Sequence, residues 1–144
     1  MFEGKHHMAT SRLQTISKHL TSTVRTMSSS AAAPRKYEWL VVVPDFPGAL
    51  QKRLEVRPQH FEGLKAVIAK GDLVMGGAVL HEMPKDDEPS SLDFAGSTVV
   101  LQAESREKVI EWLKGDVYAK SGVWDVDNAQ IWPFKCAVRT ALNN

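Results

Sequence analysis

The chain has 144 residues, of which 43% are hydrophobic and 24% are charged. This is the size and composition of one globular domain with a single core. The net charge of +1 excludes the strong basic excess that a dedicated nucleic-acid-binding protein carries. A single cysteine, Cys136, excludes an intramolecular disulfide framework and a cysteine-rich zinc site. No apolar run approaches the roughly 18 residues of a transmembrane helix, so we expect neither a membrane nor a nucleic-acid partner.

The N-terminal segment differs in composition from the rest of the chain. Basic residues outnumber acidic ones there, hydroxyl side chains are frequent, and apolar residues recur at helical spacing from Leu13 to Val24. This composition is typical of an organelle transit peptide, and a disordered tail is the alternative. We therefore predict a disordered tail or mitochondrial transit peptide over residues 1–34 and a folded domain over residues 35–144. A transit peptide makes the protein mitochondrial, and a translation start at Met27 would leave it cytoplasmic.

The first half of the folded domain is predicted to form a strand, a helix and a second strand. Residues 37–43 are aromatic and β-branched, as in a strand buried on both faces. Proline is tolerated in the first turn of a helix, so we place the start of the helix near Pro58. Gly71 is suited to end this helix, and a second strand follows over residues 72–80.

The second half repeats the pattern of strand, helix and strand. After a polar loop, residues 94–103 form the third strand, and Ser105 is a suitable N-cap for a helix that ends at Gly115-Asp116. Residues 123–133 are predicted to form the fourth strand. The order β-α-β-β-α-β is the split-βαβ plan of α+β domains with a ferredoxin-like fold.

This topology brings distant residues together. The start of the first helix and the end of the second helix share one end of the sheet, so His60 and Asp116 are predicted to converge. The two helices cover one face of the sheet and leave the other face bare. Because a bare apolar face needs a partner, we expect a homodimer in which sheet packs on sheet.

Several short segments are similar to those of the YciI-like (YCII-related domain) family. They are LQKRLEVRPQH at residues 50–60, AGSTV at 95–99, AES at 103–105, DVYAKSGV at 116–123 and IWPFK at 131–135. One departure is Val117, which stands where the family usually has proline. The resemblance covers about residues 45–135. It implies a ferredoxin-like fold, a dimeric α+β barrel and an active-site pair of one histidine and one aspartate, which by motif position are His60 and Asp116.

A histidine beside a carboxylate suits general acid–base catalysis near neutral pH. The carboxylate fixes the imidazole tautomer and favours its charged form, which leaves the other ring nitrogen free to exchange a proton. A helix start near His60 opposes that charge, and a helix end at Asp116 favours it. The structural alternative is that His60 only ties the two helix ends together through Asp116.

Arg53 and Arg57 precede the histidine and are candidate substrate-binding residues. A guanidinium binds an anionic group through two parallel hydrogen bonds. Arg57 is nearer to the histidine in sequence and is the better candidate. The alternative is that both arginines form salt bridges with Glu55, Glu62 or the acidic loop at residues 85–88.

Two adjacent glycines, Gly76 and Gly77, lie in the predicted second strand. They would let a ligand approach the backbone closely, and a β-bulge is the alternative explanation. Cys136 has no CxxC partner and is taken as an inert thiol. The chain contains no phosphate loop, dinucleotide fingerprint or metal-ligand motif, so we expect no cofactor and no metal.

The resemblance implies a small cofactor-independent enzyme in which His60, oriented by Asp116, moves a proton on a small organic substrate of aromatic or lactone-like character. Lyase, dehydrochlorinase or isomerase chemistry is the class that it implies. The main alternative is a non-catalytic dimeric module that binds a small metabolite or a protein, and a further one is an assembly subunit of a partner enzyme. Replacing His60 separates the hypotheses, since an enzyme loses turnover but stays folded, whereas a structural tie loses stability.

Overall fold

The computed structural model describes Gly4 and residues 32–141. The predicted tail or transit peptide over residues 1–34 lies outside the described residues except for Gly4 and residues 32–34. Among the described residues, no helix combines the length and the hydropathy that crossing a membrane requires.

The described chain forms a four-stranded antiparallel sheet and three helices. The strands are β1 (Tyr37–Pro44), β2 (Leu73–Leu80), β3 (Phe94–Ala103) and β4 (Gln130–Phe134), and the helices are α1 (Leu50–Ala69), α2 (Arg106–Gly115) and α3 (Val117–Lys120). The strand order is β2-β3-β1-β4, so β3 and β1 are central. This arrangement confirms the predicted α+β fold with ferredoxin-like connectivity.

Helix α1 begins well before the position that the sequence predicts. It starts at Leu50, so Pro58 lies inside it, although a proline in a helix interior costs one backbone hydrogen bond. Arg53 and His60, on either side of the proline, are the two buried residues of α1, and their tertiary contacts outweigh that cost. His60 is therefore in the middle of α1, too far from its N-terminus for the helix dipole to oppose a positive charge there.

The fourth strand is shorter than predicted. Val123 and Trp124 are buried, but their backbone N–H groups donate to the Tyr118 carbonyl oxygen at 2.8 and 3.1 Å. These groups are thus occupied by a turn after α3, and β4 begins only at Gln130. The predicted starts and ends of α2 are confirmed, since Ser105 caps it by accepting a hydrogen bond from the backbone N–H of Lys108 at 3.3 Å.

The two faces of the sheet have different surroundings. Side chains alternate between the faces of a strand, and one face packs against the helices in the main core, which includes Val41, Val43, Val99, Leu101, Val109 and Leu113. The opposite face, here called the outer sheet face, carries the apolar side chains of Leu40, Val42, Met75, Val100 and Trp132, which the pairing register places on one side. No helix within the described residues covers it, as the predicted topology requires.

Gly96 is the position at which the sheet depends on the absence of a side chain. It pairs with Pro44 across β1 and β3. A Cβ atom on Gly96 would lie 2.2 Å from the carbonyl oxygen of Val43 and 2.8 Å from the Cα atom of Pro44. Both atoms belong to the backbone of a central strand, so neither can move aside without displacing β1.

Substitution Gly96→Ala should therefore lower the free energy of unfolding by about 1–3 kcal/mol, the usual effect of overpacking. Urea denaturation followed by circular dichroism measures this change. Gly77→Ala is the matched control in the same sheet, because a Cβ atom there meets no atom within 4 Å. The control should remain close to the wild type, and equal stability of the two variants would contradict this account of Gly96.

Candidate active site

His60 and Asp116 meet as predicted, although His60 lies in the middle of α1 and not at its start. Nδ1 of His60 lies 2.8 and 3.0 Å from the two carboxylate oxygens of Asp116. The two side chains are only 10% and 7% exposed. An ionised carboxylate can only accept a hydrogen bond, so Nδ1 carries the proton that joins the pair.

Helix α3 holds the carboxylate in position. Asp116 is the N-cap of α3, and its Oδ1 atom accepts a hydrogen bond of 2.8 Å from the backbone N–H of Tyr118. The same oxygen is therefore shared between the start of α3 and His60. This explains why the departure at Val117 leaves the aspartate in place: the cap requires the carboxylate and the N–H of Tyr118, and it makes no demand on the side chain between them.

Two aromatic rings set the plane of the imidazole. The Tyr118 ring stacks on the His60 ring with centroids 3.9 Å apart and an interplanar angle of 18°. The Trp124 ring meets His60 edge-on at 5.4 Å and 80°. Together with the Asp116 carboxylate, these contacts hold the imidazole ring in one orientation.

The second ring nitrogen of His60 is free to react. Within residues 32–141, Nε2 has no hydrogen-bond partner. Within the same residues, one side-chain nitrogen or oxygen atom is sealed from solvent and has no hydrogen-bond partner. That atom is Nε of Arg53. Nε2 is therefore the ring nitrogen of His60 that can exchange a proton with a bound molecule.

His60 lies at the wall of a cavity of about 480 Å³ between α1 and the edge of the sheet formed by β2 and β3. This cavity, here called the α1 cavity, is lined by Arg57, His60, Leu64, Leu73, Val99 and Tyr118 among others. A second and more open cleft of about 700 Å³ lies between α1 and α2, and both His60 and Asp116 border it. The volume and the mixed polar and apolar walls of the α1 cavity are those of a small-molecule site.

Arg53 is part of a buried hydrogen-bond network. It is 4% exposed. Its Nη1 atom donates to both carboxylate oxygens of Asp45 at 2.8 Å, and its Nη2 atom donates to Oγ of Ser97 at 2.9 Å. Trp124 Nε1 donates to the same hydroxyl oxygen at 3.1 Å. Burial raises the pKa of Asp45, an effect that the charge and hydrogen bonds of Arg53 oppose.

The partner of Arg53 differs from those that the sequence suggests. The alternatives were Glu55, Glu62 and the acidic loop, whereas the ion pair is formed with Asp45 in the loop after β1. The guanidinium also lies over the rings of Phe94 and Tyr118, with centroid distances of 4.4 and 4.7 Å. Both terminal nitrogens of Arg53 are bonded and its charge faces Asp45, so Arg53 is part of the packed wall of the cavity.

The surroundings of Arg57 differ from those of Arg53. It is half-buried on the wall of the α1 cavity, and its guanidinium lies 4.7 Å from the centroid of the Phe61 ring. Among residues 32–141, no carboxylate lies within salt-bridge distance of it. Its positive charge is therefore uncompensated by the described part of the chain.

Gly77 borders the α1 cavity but does not form a bulge. Gly76 and Gly77 pair regularly with Val99 and Thr98, and the irregularities of β2 lie elsewhere, at 73–75 and 79–80. The bulge alternative is therefore wrong at this position. A Cβ atom on Gly77 would meet open space, so the neighbouring protein atoms do not demand a glycine.

The network around the pair contains residues that the sequence reasoning did not select: Asp45, Ser97, Tyr118 and Trp124. Ser97 and Tyr118 lie inside two of the segments that resemble the family, at 95–99 and 116–123, and this position could have identified them from the sequence. Nothing in the sequence near Asp45 marks it as the partner of Arg53. Among the described residues, no group of three or more His, Cys, Asp and Glu side chains is placed to hold a metal ion.

Fold and site together define an α+β domain with a buried histidine–aspartate pair at a cavity. The YCII-related domain family matches residues 37–135, which is more than half of the chain. Aspercryptin biosynthesis cluster protein B from Emericella nidulans is 36% identical over 108 residues, which are 75% of this chain and 67% of that protein. Protein YciI from Escherichia coli is 33% identical over 99 residues, 67% of this chain and 95% of that protein. The chain therefore belongs to the YCII-related domain family, which confirms the resemblance.

A solved structure with the same fold is that of 5-chloro-2-hydroxyhydroquinone dehydrochlorinase from Burkholderia phenoliruptrix AC1100 in complex with 2,5-dihydroxybenzoquinone. The TM-score is 0.58 and the sequence identity is 24%, over 68% of this chain and 93% of that chain. At this identity the similarity supports the ferredoxin-like fold.

Tyr118 gives the site a measurable pH dependence. Burial raises the pKa of its phenol above the ordinary value of about 10, and the charges of Arg53 and Arg57 oppose this effect. Because the folded-state pKa is the higher one, the unfolded chain loses the phenolic proton first as the pH rises. The stability contributed by the neutral phenol is therefore complete below about pH 10 and is lost as the pH rises through the folded-state pKa.

Substitution Tyr118→Phe should remove this part of the alkaline destabilisation. Between about pH 9 and pH 11, the melting temperature of the variant should fall less steeply than that of the wild type. Thermal unfolding followed by circular dichroism measures both slopes. Tyr37→Phe, which removes a half-exposed phenol, is the matched control and should keep the wild-type slope. A wild-type slope in Tyr118→Phe would contradict the predicted linkage.

Proposed function

We propose that the protein is a small enzyme in which His60 and Asp116 perform general acid–base catalysis on a small organic molecule. The observation that carries this proposal is the 2.8 Å contact between His60 Nδ1 and Asp116, with His60 bordering the α1 cavity and its Nε2 atom without a hydrogen-bond partner among residues 32–141. An imidazole held in this way can take a proton at Nε2 while the carboxylate stabilises the resulting positive charge.

The class of reaction that we propose is elimination or isomerisation. In an elimination, Nε2 of His60 takes a proton from the substrate, the electrons of the broken bond form a new double bond, and the leaving group departs with its own electron pair. In an isomerisation, the same proton returns to another atom of the substrate. Both reactions move only a proton between protein and substrate, so they need no cofactor.

The comparisons favour chemistry on a small molecule. One relative is a protein of a biosynthesis cluster, and the similar solved structure is a dehydrochlorinase bound to a quinone. An aromatic substrate also fits the rings of Phe61 and Phe94 at the α1 cavity. We propose Arg57 as the residue that contacts the substrate directly, with Gly77 providing close access along β2 and Arg53 supporting the wall.

Substitution His60→Gln should lower the rate of the reaction about 10²- to 10⁴-fold, the usual contribution of a general base. The first substrate to test is 5-chloro-2-hydroxyhydroquinone, with chloride release as the measurement and oxygen excluded. Asp116→Asn should also lower the rate, because its amide no longer stabilises an imidazolium. His81→Gln, which changes an exposed loop histidine, is the matched control and should keep the wild-type rate.

Stability separates this proposal from a purely structural pair. If His60 only ties α1 to α3, His60→Gln should lower the melting temperature and leave any turnover by the folded protein unchanged. A folded His60→Gln variant with the wild-type rate of chloride release would contradict the catalytic proposal. It would favour instead the non-catalytic module that binds a small metabolite.

We further propose that the protein is a homodimer in which the outer sheet faces of two copies pack together. Five apolar side chains occupy this face, of which Met75 and Trp132 are 50% and 46% exposed in the single chain, whereas Val100 is already buried. Burying such a face against its own copy is the usual way in which an open four-stranded sheet removes apolar surface from water.

Sedimentation equilibrium should give twice the monomer mass of 16.0 kDa. Trp132→Lys should shift the protein toward the monomer, because it places a charge in the proposed interface. Met83→Lys changes a loop methionine that is 89% exposed and is the matched control. A wild-type protein that sediments as a monomer at micromolar concentration would contradict the dimer.

A further inference from the structure

We propose that the α1 cavity binds a small organic anion with an apolar ring or chain, and that it binds this molecule in one orientation: the anionic group at Arg57 and the apolar part toward Leu64 and Ile68. The inference names the substrate class of the proposed active site and rests on that proposal. It follows from the distribution of charge and of apolar surface along α1.

The charge around the cavity is unbalanced at one residue. Arg53 faces the carboxylate of Asp45, and His60 faces the carboxylate of Asp116, so each of these groups has an anionic partner. Arg57 lies between them on α1 and has no such partner among residues 32–141. A half-buried guanidinium without a carboxylate favours the binding of an anion, and its planar fork suits a carboxylate, phenolate or enolate.

The aliphatic surface lies at the other end of the same helix, whereas the rings of Phe61 and Phe94 lie beside the arginines. Apart from Phe61, the residues of α1 that line the cavity recur at steps of three or four, as Arg53, Arg57, His60, Leu64 and Ile68. The stripe is thus cationic and polar toward the N-terminus and aliphatic toward the C-terminus. Leu73 and Val99 of the sheet continue the aliphatic wall. A ligand that satisfies both ends must carry its charge at one end and its apolar part at the other.

The dimensions limit the size of the ligand. Arg57 and Leu64 are seven positions apart, which corresponds to about 10 Å along a helix axis. The cavity volume of about 480 Å³ is at the lower end of ordinary small-molecule sites. One aromatic ring or a short chain with a single anionic group fits this length, whereas a nucleotide or a lipid would extend beyond it.

This orientation determines which atom reacts. Arg57 and His60 are three positions apart, so their side chains project from the same face of α1 about 5–6 Å from each other at Cβ. An anionic group held by Arg57 therefore places its neighbouring atoms beside Nε2 of His60. The proton that His60 removes should be one or two bonds away from the anionic group, and the apolar part of the molecule should take no part in the reaction.

Binding of simple probes tests this inference without any turnover. Benzoate carries both the charge and the ring, benzamide keeps the ring without the charge, and acetate keeps the charge without the ring. Titrations of the full chain at pH 8, followed by two-dimensional NMR, measure the dissociation constant of each probe. Benzoate should bind at least tenfold more tightly than benzamide and at least tenfold more tightly than acetate.

Substitutions at Arg57 and at Ile68 should separately remove the preference for a charged probe and the preference for a probe with a ring. Arg57→Gln should bind benzoate and benzamide equally, and Arg57→Lys should retain part of the preference for benzoate. Ile68→Ser should weaken benzoate and leave acetate unchanged. Arg35→Gln is the matched control, because Arg35 also lies over an aromatic ring, that of Tyr37, but does not line the cavity. Melting temperatures of all variants show that each is folded.

Three results would overturn the inference: equal binding of benzoate and benzamide by the wild type, a preference for benzoate that persists in folded Arg57→Gln, or no binding of benzoate at all. The His60→Gln variant distinguishes this inference from the proposed catalysis. If it keeps the benzoate preference and also keeps full turnover, the binding inference stands and the catalytic role of His60 fails. If it loses turnover while the wild type shows no anion preference, the catalysis stands and the anion inference fails.

Discussion

The carboxylate of Asp116 makes the two contacts on which the arrangement of the site depends. It accepts the backbone N–H of Tyr118 and so begins α3, and it accepts the Nδ1–H of His60 in α1. The first contact fixes the carboxylate, and the second fixes the imidazole tautomer. Because α3 starts at this residue, the Tyr118 ring is brought onto the face of the imidazole at 3.9 Å. One side chain thus aligns the histidine, the ring beside it and the short helix that carries the ring.

A second buried network includes Arg53 and does not include Arg57. Arg53 connects α1 to the loop after β1 through Asp45 and to β3 through Ser97. Removing these groups from water is tolerable only because each terminal nitrogen of Arg53 has a partner. Arg57, one turn further along α1, has none among the described carboxylates. Two arginines of similar appearance in sequence therefore have different surroundings, because different side chains pack against each of them.

Much of the fold follows from local patterns. The strand over residues 94–103, the cap at Ser105 and the end of α1 at Gly71 agree with the prediction, because β-branched runs, hydroxyl caps and glycines with positive φ act over a few residues. The early start of α1 and the late start of β4 do not follow from such patterns. Each depends on contacts between distant residues, which override the helix-breaking tendency of Pro58 and the strand character of Val123.

The sequence by itself determined the order of the strands and of the two longer helices, and its motifs indicated the family and the pair of His60 and Asp116. It misplaced His60 at the start of α1, because the true start of that helix depends on tertiary contacts. Tertiary structure decided which atoms are free. Packing between α1, the loop after β1 and the turn before β4 leaves Nε2 of His60 without a partner among residues 32–141. The same packing pairs Arg53 with Asp45 and leaves Arg57 without a carboxylate partner in that part of the chain. Burial and hydrogen bonding between distant segments set these states, and neither spacing nor composition encodes them locally.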